Sequence, residues 1–390
     1  MSDKTHVEEK KLDLSRRNFL KGTAAVISGI TVAGMIKQAF AANVTINKVD
    51  FDDIPSDPVY VAKSSELVNR AWTYLMSQIR EISDASLRGK VMDLYQNTIP
   101  TFMKRYQSKA EVAEVYKRLL KNNLIDESKT KVGELFPPLK DIDTMPQPFF
   151  SAPGSGYASH HSYPGGLVTH TAVNVEITRS ILNSYREVMD YEDQQLTDTT
   201  IAAQLLHDLA KPWVFTWAED GSSLKEYQIA GTGAHHIFSI AEAIERDLPS
   251  EEIVAQACAH NHPGSPKDEA DVVGWIKAAS ILAEVDPVKR GLLTKDGAKL
   301  PTPHSQAGYM VHLGDHDFVL SVPAAVESVN ILKEIALHEY GMSVKDLNSA
   351  RFNHFRNYIA AQVSFMHIHK LMAEKNGVAK VVALVKKVIG

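Results

Sequence analysis

Apolar residues recur every three or four positions along most of the chain, a spacing that predicts amphipathic helices. The first stripe of this kind runs through Leu67, Ala71, Leu75 and Ile79. Comparable stripes follow at Val173, Ile177 and Ile181, at Ile201, Leu205 and Leu209, at Ile237, Ala241 and Ile244, and at Ile276, Ala279 and Ala283. Segments with the alternating pattern of a strand are few. The chain is therefore predicted to be all-α.

Proline and glycine interrupt the helical pattern at two places. Clusters at 137–138, 145–148 and 154–156 predict a domain boundary near residue 150. Residues 291–317 are rich in glycine and proline and predict a loop or small hairpin that lies over the middle of the chain. We expect an N-terminal helical region at 42–150 and a central domain at 151–300. Residues 301–390 are expected to form a loop or lid and then helices that pack on the central domain.

The N-terminus has the order of a signal peptide. An arginine pair at 16–17 precedes Phe-Leu-Lys, an apolar run covers residues 23–36, and small residues at 39 and 41 favour cleavage after Ala41. The arginine pair is typical of the twin-arginine type. A run of about 14 residues spans roughly 21 Å, which is too short for a permanent membrane span. We expect residues 1–41 to direct export of the folded chain by the twin-arginine (Tat) machinery to the periplasm.

Composition narrows the class of function. The 390 residues carry a net charge of −5, from 42 Lys and Arg against 47 Asp and Glu. This balance argues against a groove that binds nucleic acid by neutralising phosphates. Cys258 is the single cysteine, so an intramolecular disulfide is excluded, and its apolar helix predicts a buried, inert thiol. Histidine is abundant, with 16 residues crowded towards the middle of the chain.

The histidines and aspartates predict a metal site. His207 and Asp208 are adjacent in a strongly apolar helix, where a buried carboxylate needs a compensating cation. His170 and His235 are predicted near the starts of helices, and further His and Asp residues near helix ends, where a bundle can direct them to one centre. These further residues are His260 and Asp286. A mixed His and Asp set suits one or two divalent ions of Fe, Mn, Ni, Co or Zn better than Ca or Mg.

The order and surroundings of these residues resemble the HD-domain metal-dependent phosphohydrolases over about residues 157–290. The resemblance includes the stretches at 163–171, 206–211 and 279–286. It implies a helical HD-domain bundle, here with additional N-terminal and C-terminal helices. It also implies a binuclear metal site in which Asp208 bridges two ions. The implied ligands are His170, His207, Asp208 and Asp286 for the first ion, and Asp208, His235 and His260 for the second.

Two ligand positions stay open in the sequence. His236 could replace His235, although Ser239, four residues after His235, matches the small residue usual in the family. His262 could replace His260 or donate a hydrogen bond from outside the ligand set. One ion instead of two is equally compatible with the sequence.

Lys211 matches a position that often contacts phosphate in the resembled family, so it is a candidate catalytic residue beside Asp208. The alternative is a solvated lysine at a helix end. His160 and His161 either hydrogen-bond a substrate phosphate or cap the loop. In the segment expected to form a lid, the ionisable residues are expected to be exposed loop residues; they are His304, His312, Asp315, His316 and Asp317.

Three functions are compatible with these patterns. The leading one is hydrolysis of a small phosphorylated substrate, a phosphomonoester or phosphodiester such as a nucleotide, by a metal-activated hydroxide. The second is an HD-fold di-iron oxygenase, and the third is a metal-binding module without catalytic activity. No nucleophile elbow or phosphate-binding glycine loop competes for the active site in the sequence. The sequence does not indicate the substrate, the metal or the oligomeric state.

Overall fold

The computed structural model describes residues 44–139, 141–157 and 159–390. The signal peptide predicted at 1–41 lies outside these residues. Residues Thr45–Gly390 form one compact unit, and the predicted boundaries near residues 150 and 300 fall inside it. The finer division of the chain stays a prediction.

The helices before residue 150 begin at residues whose side chains cap the first turn. Asp57, Ser65 and Asp84 each accept a hydrogen bond from a backbone N–H two or three residues further on. Ser108 forms a capping box with Glu111, and each such cap stabilises its helix by about 1 kcal/mol. These helices are α1 (Pro58–Ser64), α2 (Glu66–Glu81), α3 (Ala85–Gln96) and α4 (Lys109–Lys121), with short 3-10 turns at Phe51–Asp53, Thr101–Arg105, Val132–Glu134 and Phe149–Ser151.

The central helices confirm the all-α prediction. They are α5 (Gly166–Met189), α6 (Gln194–Leu206), α7 (Lys211–Val214), α8 (Ala234–Glu245), α9 (Ser250–Ala257), α10 (Pro266–Leu282) and α11 (Gln306–Gly314). Two strands of two residues each, β1 (Gln228–Ile229) and β2 (Thr232–Gly233), pair antiparallel before α8. Helices α5, α6 and α11 pack against one another, α9 packs on α6 and α11, and α8 packs on α10. The site lies where these helices meet.

Helix α11 overturns one expectation from the sequence. Residues 291–317 were expected to be a loop or hairpin, yet 306–314 form a helix that packs on α5 and α6. Glycine in this segment serves close helix packing as well as turns. A Cβ on Gly314 would lie 2.0 Å from Thr178 Oγ1 and 2.6 Å from Gln204 Oε1, so α11 reaches α5 and α6 because residue 314 has no side chain.

The C-terminal residues are helical, as expected. They form α12 (Phe318–Glu339), a 3-10 turn at Asp346–Asn348, α13 (Ala350–Val363), α14 (Phe365–Met372) and α15 (Gly377–Val388). Their apolar faces share one core that includes Phe352, Phe355 and Val385. The backbone of Val49 pairs with residues 388–390, which ties the start of the described chain to its end. None of the helices in the described ranges is long and apolar enough to cross a membrane.

A buried carboxyl group in α9 lacks a partner. Glu252 is fully buried, and neither of its carboxylate oxygens accepts a hydrogen bond within the described part of the chain. Burial raises the pKa of Glu252 to about 8, because desolvation disfavours the charged form. The folded protein therefore holds a proton at Glu252 under conditions in which the unfolded chain releases it.

We expect Glu252→Gln to change the pH dependence of stability. The unfolded carboxyl titrates near 4.5 and the folded one near 8. Between these values the folded state binds more protons, so the free energy of unfolding of the wild type falls as pH rises from about 5 to about 8. Glutamine does not titrate, so Glu252→Gln does not show this decrease in the free energy of unfolding. The variant should gain about 1 kcal/mol or more relative to the wild type across this range.

Urea unfolding at pH 5, 6, 7 and 8 measures the effect. Glu251→Gln is the matched control, because the neighbouring Glu251 side chain is exposed. Stability curves of the wild type and Glu252→Gln that run parallel over this pH range would contradict the prediction.

Candidate metal centre

Asp208 lies at the centre of the cluster of ionisable side chains. It follows the buried helix α6 in a tight turn and is 1% exposed. Its Oδ2 lies 3.0 Å from His170 Nε2 and 3.2 Å from His207 Nε2. Its Oδ1 lies 3.3 Å from His235 Nε2. One carboxylate thus faces imidazoles from three different parts of the chain.

Two groups of possible ligand atoms lie on either side of Asp208. The first consists of His170, His207 and Asp315, and the second of Asp208, His235 and His260. Within each group the ligand atoms lie within 4.8 Å of one another. Asp315 Oδ1 is 3.2 Å from His207 Nε2 and 3.5 Å from His170 Nε2. Asp208 also faces the first group, so the arrangement is compatible with two ions that share this carboxylate.

The hydrogen bonding of these atoms fits a cation. Apart from the ion pair between Lys211 and Oδ2, the oxygens of Asp208 have no hydrogen-bond partner among the described residues, and neither does His235 Nε2. Buried polar atoms are nearly always satisfied in folded proteins, so three such atoms facing one another indicate a missing group. Carboxylate oxygens and imidazole nitrogens are the donors that a divalent transition metal prefers.

The pKa values lead to the same conclusion. Burial favours the neutral form of Asp208, yet His207 and Lys211 hold its pKa well below the usual range. Burial likewise opposes ionisation of Asp315, but His207 and His170 lower its pKa. Burial lowers the pKa of His207, but the charges of Asp208 and Asp315 outweigh it and raise the value to about 10. Two buried carboxylates thus require positive charge, which a metal ion supplies in place of a proton.

The structure does not bring Asp286 to this cluster and so corrects the expected ligand set. Helix α10 ends at Leu282, and Asp286 starts a separate turn. Its Oδ1 accepts hydrogen bonds from the backbone N–H groups of Val288 (2.9 Å) and Lys289 (3.2 Å), and the side chain is 47% exposed. The carboxylate therefore stabilises its own turn.

Asp315 takes the place that the sequence analysis gave to Asp286. It caps the C-terminal end of α11 and is 7% exposed, not an exposed loop residue as expected. Gly314 lets this end of α11 approach α5, and Asn174 on α5 donates a hydrogen bond of 2.7 Å to Asp315 Oδ1. No local pattern in the sequence marks Asp315, because its burial depends on the packing of α11 against α5.

The structure also separates the alternative histidines. His235 faces Asp208, whereas His236 is buried and donates from Nε2 to the carbonyl of Ala257 at 3.1 Å. Ser239 accepts a hydrogen bond from the N–H of Ala210 and donates one to the carbonyl of His235, which ties α8 to the turn after Asp208. His260 belongs to the cluster.

His262 has a different set of contacts. Its Nδ1 accepts a hydrogen bond from the N–H of Gly264, and its ring contacts Tyr309 and His312. The ring is therefore part of a row of aromatic side chains along α11 and not part of either ligand group. Cys258 is a buried free thiol, as predicted, and burial raises its pKa to about 12.

Lys211 is buried, which excludes the alternative of a solvated lysine. It starts α7, is 4% exposed, and its Nζ lies 2.5 Å from Asp208 Oδ2. The ammonium group therefore compensates part of the carboxylate charge. It also places a cation directly beside the candidate metal ligands.

Glu226 is a functional candidate that the sequence analysis missed. Its Oε1 lies 2.5 Å from His235 Nδ1 and accepts a hydrogen bond of 2.8 Å from the His235 backbone N–H. The carboxylate therefore keeps a proton on Nδ1 and directs Nε2 towards Asp208. Glu226 lies in an irregular segment before β1, so no periodic pattern marks it in the sequence.

His160 and His161 lie beside His170. The ring centres are 5.1 Å and 5.3 Å from that of His170. Burial, the positive charge of neighbouring imidazoles and Lys211 lower the pKa of both residues well below the usual value. Both rings are thus neutral near neutral pH and adjoin the first ligand group.

A known protein is similar to part of this chain. Over 117 residues it is 31% identical to the dihydroneopterin 2′,3′-cyclic phosphate phosphodiesterase of Methanocaldococcus jannaschii. The match covers 30% of this chain and 45% of the relative, so less than half of the relative's length is represented. No protein-family profile matches the chain. No solved structure matches it either.

We expect Asp315→Ala to abolish or strongly weaken metal binding. The substitution removes one carboxylate from the first group and leaves Asp208 as the remaining acid beside His170 and His207. Metal content after dialysis against Mn, Fe, Co, Ni or Zn, measured by plasma mass spectrometry, should fall by at least one equivalent per chain. Asp286→Ala is the matched control and should bind metal as the wild type does. The reverse result would restore Asp286 as the ligand.

We expect Glu226→Gln to weaken metal binding without abolishing it. Glutamine keeps the shape of the side chain but no longer fixes the protonation of His235, and loss of such an outer carboxylate costs about 10- to 100-fold in affinity. Competition with a chromogenic chelator measures the change. Glu219→Gln, at an exposed position in the same segment, is the control. Equal metal affinities in the wild type and Glu226→Gln would contradict the role assigned to Glu226.

Proposed function

We propose that this chain is an HD-type metal-dependent phosphohydrolase that cleaves a phosphomonoester or phosphodiester in a small molecule, with nucleotides among the candidate substrates. The observation that carries the proposal is the pair of His and Asp ligand groups on either side of Asp208. A stretch of 117 residues, 30% of this chain, is 31% identical to a phosphodiesterase. This similarity supports hydrolysis of a phosphoester as the reaction class.

The residues around Asp208 would have different roles in such a reaction. His170, His207 and Asp315 would hold one ion and His235 and His260 the other, with Asp208 between them. A divalent ion at this place lowers the pKa of a water molecule and withdraws charge from phosphoryl oxygens. Glu226 orients His235, and burial of the cluster strengthens each electrostatic contact.

Lys211 is suited to stabilise negative charge on the substrate. Its ammonium group lies 2.5 Å from Asp208, in a nearly water-free position. A phosphoryl group bound next to Asp208 would come within reach of the same ammonium. Fixed positive charge at this point stabilises the additional charge that develops on the phosphoryl oxygens during attack.

We also propose that the chain is exported by the twin-arginine machinery to the periplasm. The arginine pair, the short apolar run and the small residues before position 42 support this location. Folded export suits a protein that binds its metal before it crosses the membrane.

A panel of phosphomonoesters, linear phosphodiesters and cyclic phosphodiesters tests the proposed activity. The chain is loaded separately with Mn, Fe, Co, Ni and Zn, and phosphate or alcohol release is followed. We expect hydrolysis of at least one class, and loss of both metal and activity in Asp208→Asn. A metal-loaded protein that hydrolyses none of them, or an iron protein that consumes O₂ instead, would contradict the proposal.

Lys211→Ala separates catalysis from metal binding in this experiment. Removal of a cation next to Asp208 should leave metal affinity unchanged or stronger, while kcat/KM falls about 10- to 100-fold because the phosphoryl charge loses a partner. Lys225→Ala, at an exposed position, is the matched control and should retain full activity.

A further inference from the structure

His160 and His161 form a second cluster with the outer side of His170. One ring nitrogen from each of the three residues lies within 4.8 Å of the other two. His161 is 4% exposed and His170 is 1% exposed. His170 is shared with the first ligand group, so this cluster adjoins the candidate metal centre.

Two buried ring nitrogens of this cluster have no hydrogen-bond partner among the described residues. His161 Nδ1 and His170 Nδ1 are buried without a hydrogen-bond partner in the described ranges. His160 Nδ1 is paired with Ser159 Oγ at 3.1 Å, which leaves His160 Nε2 for another group. Unpaired buried nitrogens are costly, so several of them in one small space point to a bound ligand.

The loop that carries the two histidines is held firmly. The backbone carbonyl of His161 accepts hydrogen bonds from the N–H groups of Gly154 and Tyr163, both at 2.9 Å, with His161 itself at φ +51°. A Cβ on Gly166 would lie 1.7 Å from that carbonyl oxygen, so only glycine permits the contact. This geometry fixes His161 at the start of α5, close to His170.

Arg356 on α13 holds the same loop from the other side. Its guanidinium is 1% exposed, donates to the carbonyl of Tyr157 at 2.8 Å and to Ser162 Oγ at 2.9 Å, and also bonds the carbonyl of Ser162. It lies over the Tyr157 ring, 4.3 Å from its centre. A buried arginine with this many contacts fixes its partners, so Tyr157 and Ser162 are held in place on either side of His160 and His161.

The charge around this cluster favours an anion over a further cation. No carboxylate belongs to the group of His160, His161 and His170. The Lys211 ammonium acts on the ionisation of both His160 and His161, whereas Asp208 and Asp315 act on that of His160 alone. A third metal ion would be repelled by that ammonium and by ions at the neighbouring ligand groups. A phosphoryl oxyanion would be attracted by all of them.

We propose that His160 and His161 bind the non-bridging oxygens of the substrate's phosphoryl group through their ring N–H groups, beside Lys211. This inference rests on the proposed phosphohydrolase function and names the part of the site that holds the phosphoryl group. An imidazole carries at least one N–H in either protonation state, so each ring can donate. The ligand class is a phosphate monoester or diester, and inorganic phosphate shares its chemistry.

The test measures binding independently of turnover. Inorganic phosphate, and separately bis(4-nitrophenyl) phosphate as a diester probe, is titrated into the metal-loaded protein by calorimetry. The proteins are the wild type, His160→Gln, His161→Asn and the control His338→Gln, whose ring is exposed on α12. Metal content and circular dichroism are recorded for each.

We expect His160→Gln and His161→Asn each to weaken phosphate binding about 10-fold or more, the effect of losing a charge-assisted hydrogen bond. Metal content should remain at the wild-type level, and His338→Gln should bind as the wild type does. Unchanged phosphate affinity in both variants would overturn the inference. So would loss of one metal equivalent, since the rings would then be metal ligands. If His161→Asn fails to fold, His160→Gln alone decides, because its ring is only partly buried.

The result also distinguishes the two proposals. Phosphate binding that depends on His160 and His161, in a protein that hydrolyses no phosphoester, would support the subsite and contradict the proposed function. Hydrolysis that proceeds normally in both variants would support the function and contradict the subsite.

Discussion

The site depends on the burial of Asp208. A carboxylate that is only 1% exposed destabilises the folded state unless positive charge surrounds it. Three imidazole nitrogens lie within 3.3 Å of the Asp208 carboxylate oxygens; they belong to His170, His207 and His235. The ammonium of Lys211 lies 2.5 Å from Asp208 Oδ2. Asp315 adds a second buried carboxylate and raises the demand for positive charge. The helices around Asp208 must therefore bring positively charged groups to the buried carboxylates, in addition to packing their apolar faces.

The site draws on more of the chain than the central helices alone. Asp315 follows α11, and its position depends on the missing side chain of Gly314. Arg356 on α13 fixes the loop that carries His160 and His161. The C-terminal helices therefore contribute to the arrangement of the ionisable groups indirectly, through the loop that Arg356 holds.

The sequence predicts the helical class and most of the cluster because both follow from local patterns. The apolar stripes mark the helices, and His207-Asp208 in an apolar helix marks a charge that needs compensation. Local patterns do not distinguish Asp286 from Asp315. Both acids follow helices, but only the close approach of α11 to α5 buries Asp315, and that contact joins residues 136 or more positions apart. Glu226 has no local signal either, since its role is visible only once β1 and β2 turn the chain back towards α8.

The surroundings of His235 and those of His160 and His161 differ in chemistry. On one side Glu226 binds His235, whose pKa is raised to about 9 because the Glu226 and Asp208 charges outweigh the effect of burial. On the other side His160 and His161 lie near Lys211, without a carboxylate in their group, and their pKa values are lowered. Negative charge thus concentrates where cations would bind, and hydrogen-bond donors concentrate where an anion would bind.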